Sequence, residues 1–274
     1  MTDFWLAGDL TSTAYGWRLE RRDGITIGFT SHDRDVEIDG LLYRASPGME
    51  PSAVSESLGL DNGGLEISGI VSSDAISEAD LSAGRWNGCA LSVFLFDWTQ
   101  RGAGKRILAQ GELGQVTYSG ENFQVEVNGP AARLNSPVVP QTSPGCRASF
   151  CDANCGLSQA RFRHERIVSH ADADHIVFQN DLPGGANGFA YGHVRWLDGK
   201  NCGLTSNIYA SGNKDVYLAQ IPEFPVLAGT RAALVEGCNK IIATCSGRFA
   251  NAVNFRGEPY LPGNDLLTRY PGVS

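Results

Sequence analysis

The chain has 274 residues, a formal net charge of -8 and 42% hydrophobic residues. That length accommodates one large or two small domains with a substantial core, and the acidic balance argues against non-specific binding to DNA. No run of about 18 apolar residues is present, and Met1 to Leu6 has no basic segment leading into an apolar stretch, so neither a membrane span nor a secretory leader is expected. In that setting seven cysteines point to metal ligation or free thiols and away from disulfides.

The first half reads as strands joined by turns, in keeping with 33 glycines and 12 prolines. Gly16 to Arg21 and Ile25 to Thr30 flank Arg22-Asp23-Gly24, and Val36 to Ile38 and Leu41 to Tyr43 flank Asp39-Gly40. Asp-Gly tolerates positive φ, so both are hairpin signals. Leu65 to Val71 follows Asn62-Gly63-Gly64, and Ser73 or Asp74 is a candidate cap for a helix that begins with Ala75 to Leu81 and ends before Gly84. Ala90 to Phe96 is nearly all apolar, as in a strand covered on both faces, and Cys89 at its entry is a candidate core thiol. Ile107 to Tyr118 and Phe123 to Val127 complete this half; in the latter, apolar residues alternate with polar ones.

Ser136 to Gly145 holds three prolines and cannot continue a central strand or helix, so it is the expected domain boundary. Beyond it Leu157 to His164 is a short helical candidate. Strands are expected at Arg166 to Ser169, Ile176 to Gln179, His193 to Leu197, Ile208 to Ala210, Val216 to Ala219 and Ala232 to Glu236. They read as a small antiparallel barrel inserted between two cysteine-bearing segments. The closing segment, Cys238 to Ser274, is polar and needs something other than a large core to fix it.

Six of the seven cysteines follow the boundary. Cys146 and Cys155 are separated by eight residues, and Cys238 and Cys245 by six. Four converging thiolates suit tetrahedral zinc or an iron–sulfur cluster. Neither spacing is the tight turn of a zinc ribbon, and buried structural thiols are the alternative. Cys151 also stands at plausible ligand spacing from Cys155, whereas Cys202 reads as a free thiol in a turn.

The run from Ser143 to Gly156, then Gly237 to Cys245, then Arg248-Phe249 and Asn254-Phe255-Arg256-Gly257-Glu258-Pro259, resembles the baseplate hub, or tail-tip, proteins of long-tailed phages and of alphaproteobacterial gene transfer agents. The cysteine spacings are also similar to those of the tail-tip proteins of lambda-like phages. The resemblance covers nearly the whole chain. It implies a mainly β fold: a barrel-like hub domain at 1–137, then an iron–sulfur clasp domain at 138–274 with the inserted barrel at 165–236. It also implies a [4Fe-4S] cluster on Cys146, Cys155, Cys238 and Cys245. Cys151 departs from the pattern, occupying a place where the family usually has glycine, and is read as a neighbour of the ligands with substitution as the alternative. The implied protein is a homotrimer in a particle's tail baseplate, assembled in the bacterial cytoplasm. It would bridge the distal tail ring to a large tip or receptor-associated protein, and DNA would pass without specific binding.

Other clusters favour plain readings. His170, Asp172, Asp174 and His175 form a polar turn between strands, and Ser31-His32-Asp33 a solvated loop. Trp86 and Trp196, each beside an arginine, are expected as core or interface aromatics and not as base-stacking platforms in so acidic a chain. Phosphate-loop, zinc-protease and nucleophile-elbow motifs are absent, so no enzyme is expected. The remaining alternatives are an iron–sulfur redox enzyme or sensor and a four-cysteine zinc adaptor.

Overall fold

The computed structural model describes residues 12–45, 50–51, 65–70, 76–100, 102, 104–119, 122–128, 139–185 and 187–261. The fold is mainly β. It divides into two compact units, Met1–Val138 and Val139–Ser274.

Among the described residues, the strands of the first unit form one nine-stranded sheet. β1 (Thr13–Glu20) and β2 (Thr26–Thr30) form the expected hairpin, with Gly24 at φ 90° and Asp23 paired to Arg21 in the turn. β3 (Val36–Ile38) and β4 (Leu41–Ala45) turn through Asp39 and Gly40, both at positive φ, as a two-residue hairpin turn requires. β4 then pairs parallel to β2, a long-range choice that the local hairpin signals do not contain. β5 (Glu50–Pro51) and β6 (Leu65–Ile70) pair with each other, and β6 continues onto β9 (Asn122–Asn128). β7 (Ala90–Asp97) lies between β1 and β8 (Lys105–Ser119), which explains its nearly unbroken apolar run. Trp17, Phe29, Trp86, Cys89 and Val93 share one buried cluster, so Trp86 and Cys89 are core residues.

The first helix, α1 (Glu78–Ser82), starts later than the sequence suggested. Ser77 caps it, its hydroxyl accepting the Asp80 N–H at 3.1 Å. Ile76 and Leu81 are buried, and the two expected caps, Ser73 and Asp74, lie outside the described residues. The turns expected at 62–64 and 120–121, the end of the strand at Val71 and the first part of the proline-rich boundary also lie there.

In the second unit six strands close into an antiparallel barrel in the order β10-β11-β14-β13-β12-β15. They are β10 (Arg163–Asp172), β11 (His175–Phe178), β12 (His193–Trp196), β13 (Thr205–Ser211), β14 (Asp215–Leu218) and β15 (Arg231–Val235). β15 closes the ring by pairing with both β10 and β12. The pairs Ile176 and Phe178, Val194 and Trp196, Val216 and Leu218, and Ala232 and Leu234 recur at the strand period of two and fill the interior. The Trp196 indole N–H donates to Ser206 Oγ at 3.0 Å.

Two local expectations change. Leu157 to His164 holds only a 3-10 turn at Gln159–Phe162, and His164 already belongs to β10, because pairing of Arg163 and His164 with Val235 and Leu234 overrides the weak helical signal. The turn near His170 is tighter than expected: strand pairing runs to Asp172 and resumes at His175, leaving Ala173 at φ 50°. His175 stacks on Tyr217 at 4.5 Å and meets Asp215 at 3.1 Å, as part of the barrel wall. Ser31 to Arg34 is a bend, with the His32 ring against Trp98.

Candidate metal centre

The four expected ligands come from two segments that flank the barrel in sequence. Cys146 and Cys155 precede β10, and Cys238 and Cys245 follow β15, so barrel closure brings the two segments together. The Cys146 N–H donates to the Lys240 carbonyl at 2.9 Å, and the Lys240 ammonium reaches back to the Ala148 carbonyl. Cys245 lies in the second helix, α2 (Ile242–Gly247), and is buried.

Each segment is held by groups that also orient its sulfurs. Asp152 accepts from the N–H groups of Cys155 at 2.7 Å and Ser149 at 2.9 Å, and these bonds hold its carboxyl below the usual range. The buried Asn251 donates to the Cys155 carbonyl at 2.7 Å and lies 3.7 Å from Cys155 Sγ, while its own N–H meets the Cys245 carbonyl at 2.9 Å. The Arg256 N–H points at Cys146 Sγ at 3.4 Å, and the Cys245 thiol donates to the Asn251 carbonyl at 3.3 Å. Phe150, Phe162 and Phe249 pack ring to ring with centroids 4.9 to 5.4 Å apart.

The Asn-Phe-Arg-Gly-Glu-Pro signature closes on the first cysteine segment. Arg147 grips Glu258 with two bonds of 2.6 and 2.8 Å, and Glu258 also accepts from the Ser143 N–H at 2.9 Å. With Arg147 as the main cause and Ser143 the second, the Glu258 carboxyl is lowered to about 2. The Glu258 N–H donates to Ser143 O at 2.8 Å, and the Arg147 N–H to Arg256 O at 2.9 Å. Gly257 is required here, since a Cβ would stand 2.5 Å from the Gly145 carbonyl oxygen.

Burial, followed by the nearby thiols of Cys238, Cys146 and Cys155, raises the Cys245 pKa. Among the described residues no three His, Cys, Asp or Glu side chains meet closely enough to hold a single ion. The Cys151 thiol is pushed up to about 11 by burial and then by Cys155 and Cys238. Its backbone is at φ 64°, a conformation glycine adopts without strain. Cys202 is remote in the chain, exposed, and donates to the Leu197 carbonyl at 3.2 Å.

Sequence reasoning did not foresee the roles of Asp152, Asn251 and the Arg147–Glu258 pair. Asp152 had a usable local signal, an Asp three residues before a backbone N–H it can cap. Asn251 had none, because its partner Cys155 lies 96 residues away in the chain.

Residues 3–158 match the family model described as "Baseplate hub protein, N-terminal attachment domain", and residues 187–265 match one described as "Phage conserved hypothetical protein BR0599". Among solved structures, a chain of the "Virion of native gene transfer agent (GTA) particle" is similar over 99% of this chain and 95% of its own, with 32% identity and a TM-score of 0.86. No curated protein matches the chain. Fold and matches together define a structural component of a phage or gene transfer agent particle, located in its tail. The chain belongs to the baseplate hub family. Among the described residues no helix is long and apolar enough to cross a membrane.

Proposed function

We propose that the chain is a mechanical hub and not an enzyme, with residues 1–137 as the attachment domain and residues 138–274 as a clasp domain built around the barrel at 165–236. A [4Fe-4S] cluster held by Cys146, Cys155, Cys238 and Cys245 would fasten that clasp. Three copies would surround the tail axis, bridge the distal tail ring to a large tip or receptor-associated protein, and line the channel through which DNA passes without specific contacts.

The observation that carries the clasp is the interlocking of the two cysteine segments. Arg147 with Glu258, Cys146 with Lys240, and Cys155 with Asn251 tie the two cysteine-bearing segments to each other. The donor set fits the cluster: it is all thiol, and N–H groups are aimed at Cys146 and Cys155, the kind of bond that tunes an iron–sulfur centre. When bound, the cluster would supply a covalent tie across the 82 residues between Cys155 and Cys238. By analogy with a disulfide closing such a loop, the tie would add about 4–5 kcal/mol by restricting the unfolded chain.

Anaerobic purification followed by metal analysis tests the clasp. Iron with acid-labile sulfide is expected, and zinc alone would remove the cluster while leaving the hub. Purified tails that lack this chain would sink the hub itself.

A further inference from the structure

The outer wall of the barrel carries a row of rings that the clasp does not use. β11, β14 and β13 are neighbours in the closed sheet, and the interior is filled, so their exposed side chains face outward. His175 of β11 stands opposite Tyr217 of β14, the two rings stacked at 4.5 Å with 12° between their planes. Tyr209 of β13 follows at 6.0 Å from Tyr217, tilted by 49° and 55% exposed. Beyond it Tyr191, 72% exposed, is fixed to the other edge of β13 by its N–H bond to Ile208 O at 3.0 Å. Neighbouring strands lie about 5 Å apart, close to the length of one pyranose ring. The row is set in advance: the Asp215 carboxylate holds the His175 ring at 3.1 Å, and His175 covers one face of Tyr217.

The surroundings of the rings select the occupant. A protein partner would need aliphatic neighbours to complete a dry core around them, yet among the described residues Tyr209 is the only large hydrophobic exposed on β11, β13 and β14. The polar groups beside the rings are Asp215, the exposed Asn207 two residues from Tyr209, and the exposed Asp172 opposite His175 in β10. Carboxylates and an amide accept hydrogen bonds from hydroxyl groups, while the same carboxylates in a chain of net charge -8 repel sulfated and phosphorylated polymers. The negative face of an aromatic ring attracts the weakly positive C–H face of a sugar. We propose that this wall binds a neutral polysaccharide, with Tyr209 and Tyr191 as stacking platforms, Tyr217 braced beside them, and Asp215 and Asn207 taking the hydroxyls. The site lies outside the clasp and does not depend on a cluster. In a particle tail it would give this chain a hold on a cell-surface glycan.

The test is native affinity electrophoresis of the full chain through gels cast with a soluble neutral glucan, galactan or mannan, beside gels cast with dextran sulfate. Retardation by at least one neutral polymer is expected, and none by dextran sulfate. Tyr209→Ala should weaken the binding about fivefold or more, and adding Tyr191→Ala should abolish it. Tyr209→Trp should keep it, since a ring and not the phenol hydroxyl does the stacking. Both positions are exposed, so each variant should melt with the wild type, which separates lost binding from lost fold. Retardation by no neutral polymer, by dextran sulfate as strongly as by the neutral ones, or equally in wild type and double variant overturns the proposal. So does a double variant that is missing from purified tails although the wild type binds no polysaccharide, because the wall is then a protein contact. Each of these results leaves the hub and cluster readings where they stand.

Discussion

Gly237 joins the barrel to the second cysteine segment, immediately before Cys238, and it gives a sharp test of how barrel and clasp are coupled. A Cβ at this position would stand 1.7 Å from the Ala190 carbonyl oxygen and 2.4 Å from the Gly192 nitrogen, both backbone atoms, while real Cβ contacts lie beyond 3.0 Å. Gly237→Ala must therefore open the gap to the segment around Ala190 by more than an ångström. The motion endangers the bond from the Gly237 N–H to Gly188 O and the bond from Arg248 to the Gly237 carbonyl. Overpacking against backbone together with the loss of these two bonds gives a cost of about 3 kcal/mol or more. For a unit of this size, that lowers the thermal midpoint by about 10 °C. Gly247→Ala is the matched control: it adds the same methyl in α2, where nothing lies within 4 Å, and should raise stability by about 0.5 kcal/mol. Thermal unfolding of the two variants, with modification rates of the Cys238 thiol, decides the matter. A Gly237→Ala protein melting within about 2 °C of wild type would refute the reasoning.

Asn251→Ala removes a buried donor from the Cys155 carbonyl and should cost about 1–3 kcal/mol, measured by denaturant unfolding, with faster chelation of any bound iron. The Arg147–Glu258 pair should act as an acid-sensitive latch. The folded carboxyl titrates at about 2 against an ordinary 4.5, so its stabilisation is present above about pH 4.5 and is lost as pH falls toward 2. The melting difference between wild type and Glu258→Gln should accordingly be full at neutral pH and vanish in acid. Maleimide labelling followed by mass spectrometry should find Cys202 modified first and Cys89 only on unfolding, since burial pushes the Cys89 thiol up to about 12.

Much of the fold could be read locally. Asp-Gly at 23–24 and 39–40 marked two turns because positive φ there is a property of the residues themselves. The short runs Ile176 to Gln179 and Val216 to Ala219, bounded by turn residues, marked strands that the barrel contains. Cys89 was legible as a core thiol from its place at the entry to an apolar strand, and Trp86 and Trp196 as core or interface aromatics because an acidic chain disfavours base stacking. The helical signal at Leu157 to His164 failed because a short segment's propensity amounts to little against cross-strand pairing with β15.

What the sequence by itself determined is the chemistry brought to the clasp: four cysteines in two spaced pairs, a fifth out of pattern, and a C-terminal signature with an acid in it. Only the tertiary structure decided that β4 runs parallel to β2, that β15 closes the barrel, and that Glu258 grips Arg147 from 111 residues away. The reason is physical. Side-chain period and turn geometry act over a few residues, whereas strand partners and ion pairs are chosen by register and packing across the whole chain.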